Sequence, residues 1–167
     1  VCSQDAKQIF SEIDLTYDFL NTGNAIAIVA PSFAASFPNE YIKVPSALRK
    51  LGFTKVIETA FGADLIANDY MDVIKSDNQK TVISSACPAV VSFIQKYYTA
   101  LVPNLAQVVS PMIALGRYLK KDLGEDIKIV FIGPCVAKKH EAQDEDVAGV
   151  IDSVLTFTEL KQMSDAQ

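Results

Sequence analysis

Two short segments hold the residues best suited to chemistry: Ser84-Ser85-Ala86-Cys87-Pro88 and Gly133-Pro134-Cys135-Val136-Ala137-Lys138-Lys139-His140-Glu141. Each sets a cysteine beside a proline just after a predicted strand, where sulfur can face a cavity instead of the core. A free cysteine is by default an inert packing residue. What points to ligation is that both follow strands, both adjoin proline, and Cys135 is trailed by Lys138, Lys139 and Glu141; cations beside a thiol favour the metal-binding thiolate. The arrangement suits an iron–sulfur cluster better than a disulfide.

The rest of the chain must hold these segments in place. With 167 residues, half of them hydrophobic, it is long enough for one domain with a substantial core. A net charge of −5 excludes a general nucleic-acid binder, which carries a basic stripe. No apolar run approaches the roughly 20 residues needed to cross a bilayer, and residues 1–7 lack the apolar stretch of a signal peptide. Three cysteines far apart do not make a disulfide framework. The expectation is a cytoplasmic protein in a reducing compartment.

Hydrophobic patterning predicts alternating helices and strands. Helices are expected over Asp5–Phe19, Ser46–Leu51, Gly62–Lys75, Val90–Ala100, from Ser110 with Pro111 in its first turn, and over Thr158–Met163. Strands are expected at Ala25–Ala30, Lys55–Thr59, Thr81–Ser84, Ile127–Ile132 and Val154–Phe157. Continuous apolar runs such as Ala25-Ile26-Ala27-Ile28-Val29-Ala30 read as strands buried on both faces. The fold class is therefore α/β, a mostly parallel β-sheet flanked by helices. Ligands of such sheets bind beyond the carboxyl ends of the strands, so the loops Ala30-Pro31-Ser32, Ser85–Pro88 and Gly133–Cys135 should converge on one rim.

These motifs together resemble a known family. Ser84-Ser85-Ala86-Cys87-Pro88, the later Pro134-Cys135-Val136-Ala137-Lys138-Lys139-His140-Glu141, Val29-Ala30-Pro31-Ser32, Phe61-Gly62-Ala63-Asp64-Leu65 and Leu155-Thr156-Phe157-Thr158-Glu159-Leu160 are similar, in the same order, to the catalytic domain of iron-only (iron-iron) hydrogenases. The resemblance implies one lobe plus part of the second lobe of that domain, spanning residues 5–167, after a remnant of an upstream ferredoxin module at 1–4. It implies a four-iron cubane joined through one cysteine to a di-iron centre carrying carbon monoxide and cyanide, with Cys87 and Cys135 as two cubane ligands. By the same resemblance Lys138 contacts one cyanide, Pro31 and Ser32 line the other, Pro111 lies beside the carbonyl side, and Glu141 fixes the lysine or its loop. Phe61 and Leu65 are read as core and His140 as a surface or packing residue. A Lys-Lys pair is ordinarily a solvated surface pair.

The departures from the family pattern matter as much. Active members carry a proton-relay cysteine where this chain has Ala86, and a methyl group cannot carry a proton. The relay glutamates fall on Tyr70 and Val73. Met112 replaces a common glutamine, and Gly133 stands where a methionine usually packs. These changes resemble the divergent sensory branch, in which the domain precedes a PAS or other output domain. The family's third cysteine motif is expected beyond residue 167, so this piece alone is expected to bind no cluster and to be inactive. Partners implied are hydrogen and protons, and a ferredoxin module as electron carrier, in an anaerobe. A non-catalytic iron–sulfur carrier or assembly factor with a hydrogenase-like fold is the alternative. Cys2 reads as a stray exposed thiol.

Overall fold

A computed structural model describes residues 9–76 and 81–165. The chain runs α1 (Ile13–Thr22), β1 (Ala25–Val29), α2 (Phe33–Ser36), α3 (Val44–Leu51), β2 (Lys55–Glu58), α4 (Ala60–Leu65), α5 (Ala67–Ser76), α6 (Pro88–Tyr97), α7 (Pro111–Leu123), β3 (Lys128–Gly133), α8 (Ala137–Ala142), β4 (Ser153–Thr156) and α9 (Phe157–Asp165). Short 3-10 turns occupy Tyr41–Lys43 and Thr99–Asn104. Cys2 and the proposed ferredoxin remnant lie outside the described residues.

The strands pair in the order β2-β1-β3-β4, every pair parallel. β1 is buried at every position, as its unbroken apolar run requires. Successive side chains of a strand point to opposite faces, so the sheet builds two cores. Ala25, Ala27, Val29, Val130, Ile132 and Leu155 face α1, α3 and α9. Ile26, Ile28, Ile129, Phe131 and Val154 face α7, which contributes Met112, Ile113, Leu115 and Leu119. Truncating one of the fully buried leucines to alanine costs about 2–5 kcal/mol by general experience. A parallel sheet puts all its carboxyl ends on one rim, and the site is built there.

Three expectations need correction. Thr81–Ser84 is no sheet strand: Ile83 forms a single parallel bridge to Leu105, donating to the Asn104 carbonyl and accepting from the Ala106 N–H. Only Val82 and Ile83 of that run are apolar, and both are half-exposed, too little to hold an interior strand. Cys87 therefore follows no strand. Among the described residues the first helix starts at Ile13, because the Glu12 N–H is drawn to Glu159 Oε1 and its carboxylate to the Val154 N–H; residues 5–8 of the expected helix lie outside them. The predicted Gly62–Lys75 helix breaks at Ile66 into α4 and α5.

Candidate functional site

A cavity of about 220 Å³ opens at the carboxyl ends of β1 and β2. Ala30 and Pro31 enter from β1, Thr59, Ala60 and Ala63 from the start of α4, Pro111 and Met112 from the start of α7, and Phe131 from β3; Ala86 and Lys138 complete the lining. The close approach of α4 to α7 depends on Gly62, where a Cβ would lie 2.1 Å from the Pro111 carbonyl oxygen. Gly133 is needed for a similar reason: a Cβ there would lie 2.6 Å from the Phe131 ring. The ring takes the space that a larger residue at 133 would fill.

Lys138 ties two distant segments together. Its Nζ donates to the Ala86 carbonyl at 3.2 Å and to Glu141 Oε2 at 2.7 Å. The helices that follow the two cysteine motifs, α6 and α8, pack against each other. Cys87 is the exposed residue capping α6, which starts at Pro88, a first-turn position where proline gives up no intrahelical bond. Cys135 is half-buried after β3, its carbonyl accepting the Lys138 N–H at 3.2 Å. Both thiols are free. Ser32 is exposed and does not line the cavity; its carbonyl accepts from Ala35 and Ser36 at 3.1 Å in α2.

The stretch before Ala86 is held by hydroxyls. Tyr70 OH meets Ser84 Oγ at 3.0 Å and Ser85 Oγ at 3.2 Å and accepts the Ser85 N–H, while Ser85 Oγ donates to the Val108 carbonyl. A tyrosine thus stands where the resemblance implied a relay glutamate.

The profile of the family described as "Iron only hydrogenase large subunit, C-terminal domain" matches residues 23–167. The chain belongs to this family. It is 31% identical to iron hydrogenase 1 of Clostridium pasteurianum over 92% of this chain and 31% of that protein. It is 28% identical to a cytosolic Fe-S cluster assembly factor of Yarrowia lipolytica over 79% of this chain and 31% of the relative. The solved apo FeFe-hydrogenase HydA1 of Chlamydomonas reinhardtii superposes with a TM-score of 0.75 at 22% identity, covering 94% of this chain and 48% of that one, a likeness in fold. The chain thus spans about a third of the length of these curated relatives.

For a hydrogenase-family cofactor, the fit is partial. The cavity is walled by small and apolar side chains, with one ammonium and one hydroxyl as its polar side chains, which suits a compact centre bearing diatomic ligands. A four-iron cubane takes four cysteine thiolates. Among the described residues no group of three or more His, Cys, Asp or Glu is gathered for a metal, so Cys87 and Cys135 could supply at most two of those four thiolates.

Lys139, expected with Lys138 among the cations beside the Cys135 thiol and by default a solvated residue, is 8% exposed. Its Nζ donates to the Val154 carbonyl and to Glu159 Oε1 at 3.1 Å and lies 3.5 Å from Glu12 Oε1. Burial pushes the Glu159 carboxyl up, but hydrogen bonds from the Thr156 N–H and hydroxyl and from Lys139, with the charge of Lys139, outweigh it and hold the group below its ordinary range. Phe61 and Leu65, expected in the core, are 42% and 36% exposed; Phe61 meets Tyr118 edge-on at 5.4 Å on the outside of α4 and α7. His140, expected in a surface or packing role, is exposed. Sequence reasoning passed over Thr59 and Phe131 in the cavity; Gly133, with no room for a side chain, was the one signal of the latter.

Proposed function

We propose that this chain forms one wall of a hydrogenase-type cluster pocket, and that the complete protein binds a cubane and a di-iron centre there and reacts with hydrogen, slowly and in a sensory role. Cys87 and Cys135 then supply two cubane thiolates. Pro31 and Pro111 border the di-iron centre, with Ser32 next to Pro31 but outside the cavity lining, Lys138 presents its ammonium to a cyanide, and Glu141 holds that lysine. The centre supplies the exchange of electrons with hydrogen when bound. What supports this reading is one observation: Pro31, Ala86, Pro111, Met112 and Lys138, drawn from four separate stretches of the sequence, line a single cavity. The relay position inside it is a methyl group, which can neither bind nor pass a proton. Electrons come from a ferredoxin module and the response goes to a PAS or other output domain.

Replacing Ala86 with Cys in the matured, full-length protein restores a titratable group. Hydrogen evolution should rise by about 100-fold or more, the usual worth of a positioned acid–base group. An unchanged rate rules out the missing cysteine at Ala86 as the sole cause of slow turnover.

The similarity to Fe-S assembly factors supports a second reading, a non-catalytic iron–sulfur carrier. Infrared spectra of the same matured protein separate the two. Carbonyl and cyanide bands belong only to the first; iron and sulfide without those bands support the second.

A further inference from the structure

Two buried hydroxyls, those of Thr59 and Ser110, have no hydrogen-bond partner among the described residues. Ser110 is 2% exposed and does not line the cavity. Thr59 is 6% exposed and does line it. The Thr59 backbone is fully engaged, its N–H donating to the Val29 carbonyl at 2.8 Å and its carbonyl accepting from Gly62 at 2.9 Å. Its hydroxyl makes no capping bond to α4.

Thr16 is the internal control. It is fully buried, and its hydroxyl donates to the Glu12 carbonyl at 2.9 Å and contacts Ser153 Oγ at 2.9 Å. This fold satisfies a buried threonine hydroxyl where that hydroxyl is part of the packing. A buried hydroxyl left without a partner is destabilising, and native proteins rarely keep one that nothing else satisfies.

The other polar side chain of the cavity lining is Lys138. An ammonium has three donors. Two of those of Lys138 go to Ala86 and Glu141, and the third has no acceptor among the described residues. Two spare donors from separate elements, the start of α4 and α8, therefore meet at one otherwise apolar cavity. That combination suits a small body with more than one acceptor atom.

Resting on the function proposed above, we infer that Thr59 is a further ligand-holding residue, its hydroxyl donating to a diatomic ligand of the iron centre that Lys138 also contacts. Thr59→Val keeps the shape and removes the donor; Thr59→Ser keeps the donor. In the matured full-length protein, Thr59→Val should displace at least one carbonyl or cyanide infrared band, and Thr59→Ser should leave that band in place. Bands of Thr59→Val that superimpose on the wild type overturn the inference and leave the proposed function standing. A wild type without such bands overturns both.

A second measurement covers poor maturation of the variants. In the cluster-free full-length protein, Thr59→Val should raise the unfolding midpoint or leave it unchanged, because it deletes an unpaired hydroxyl, whereas Thr16→Val should lower it. A lowered midpoint for Thr59→Val means that the hydroxyl has a protein partner, and this too overturns the inference.

Discussion

Lys138 and Lys139 are consecutive on α8, yet about 100° of helical rotation sends them into opposite environments. Lys139 turns inward, where its Nζ donates to the Val154 carbonyl and to Glu159 and lies 3.5 Å from Glu12, a buried cation between two carboxylates. Both carboxylates are otherwise engaged as well. Glu12 Oε2 accepts the Val154 N–H at 2.7 Å, and Glu159 Oε2 accepts the Thr156 N–H at 2.7 Å and its hydroxyl at 2.8 Å. Lys138 turns toward the cavity with two acceptors engaged. A cation buried between two carboxylates anchors its helix; one paired to a single carboxylate at a cavity wall has a donor left for something else. The lesson is that the anchor makes the other lysine's placement possible, since Lys139 fastens α8 to β4, α9 and the residue preceding α1.

Removing the anchor should have the largest effect. Lys139→Met fills similar volume but leaves the Glu12 and Glu159 carboxylates buried without their cation. Losing one partner of a buried ionic group typically costs about 3–5 kcal/mol. Urea unfolding of the cluster-free protein should show that loss. A change below about 1 kcal/mol would mean that the carboxylates find water or protons cheaply, and the contrast between the two lysines would lose its basis.

Acid gives a graded version of the same break. The Glu159 carboxyl is held below its ordinary range in the folded protein, so the folded state binds its proton less readily than the unfolded state does. Its contribution is complete above the ordinary glutamate range and disappears as pH falls through the lowered folded value. Glu159→Gln should be less stable than wild type by about 2 kcal/mol at neutral pH, since hydrogen bonds to a charged group are lost, and the gap should close in acid. Two stability curves that run parallel from neutral to acid pH would assign the stabilisation to some other carboxylate.

The same contrast explains which features could be read from residues alone. β1 and β3 were legible because a strand buried on both faces must be apolar at nearly every position, and Ala25–Val29 and Ile129–Ile132 are. Thr81–Ser84 misled because β-branched residues mark a willingness to extend without specifying a partner, and only Leu105 pairs there. Pro31 and Lys138 sit in motifs whose order along the chain carries information, and Pro111 was placed beside them by the family resemblance, so their meeting at one cavity was foreseeable. Thr59 and Phe131 sit in no such motif; their places in the cavity follow from the β1–β2 and β1–β3 registers and from the missing Cβ at Gly133. Lys139 was hidden for a further reason. Two adjacent lysines look alike in sequence, and only acceptors contributed by Glu12, 127 positions earlier, and by Val154 and Glu159 decide which one is buried.

Removing the other lysine should matter least to folding. Lys138→Met gives up bonds to Glu141 and to the Ala86 carbonyl, but the Glu141 side chain keeps 14% of its surface in contact with solvent and can be rehydrated. The expected cost to the cluster-free protein is about 1 kcal/mol, well under that of Lys139→Met. The Ala86 loop then loses its tie to α8, so Cys87 should be alkylated faster in Lys138→Met than in wild type, whereas Cys135, next to α8 itself, should change little. If the two substitutions destabilise the protein equally, Lys138 is a second structural anchor, and its spare donor is no longer a reason to assign it to the cavity's ligand.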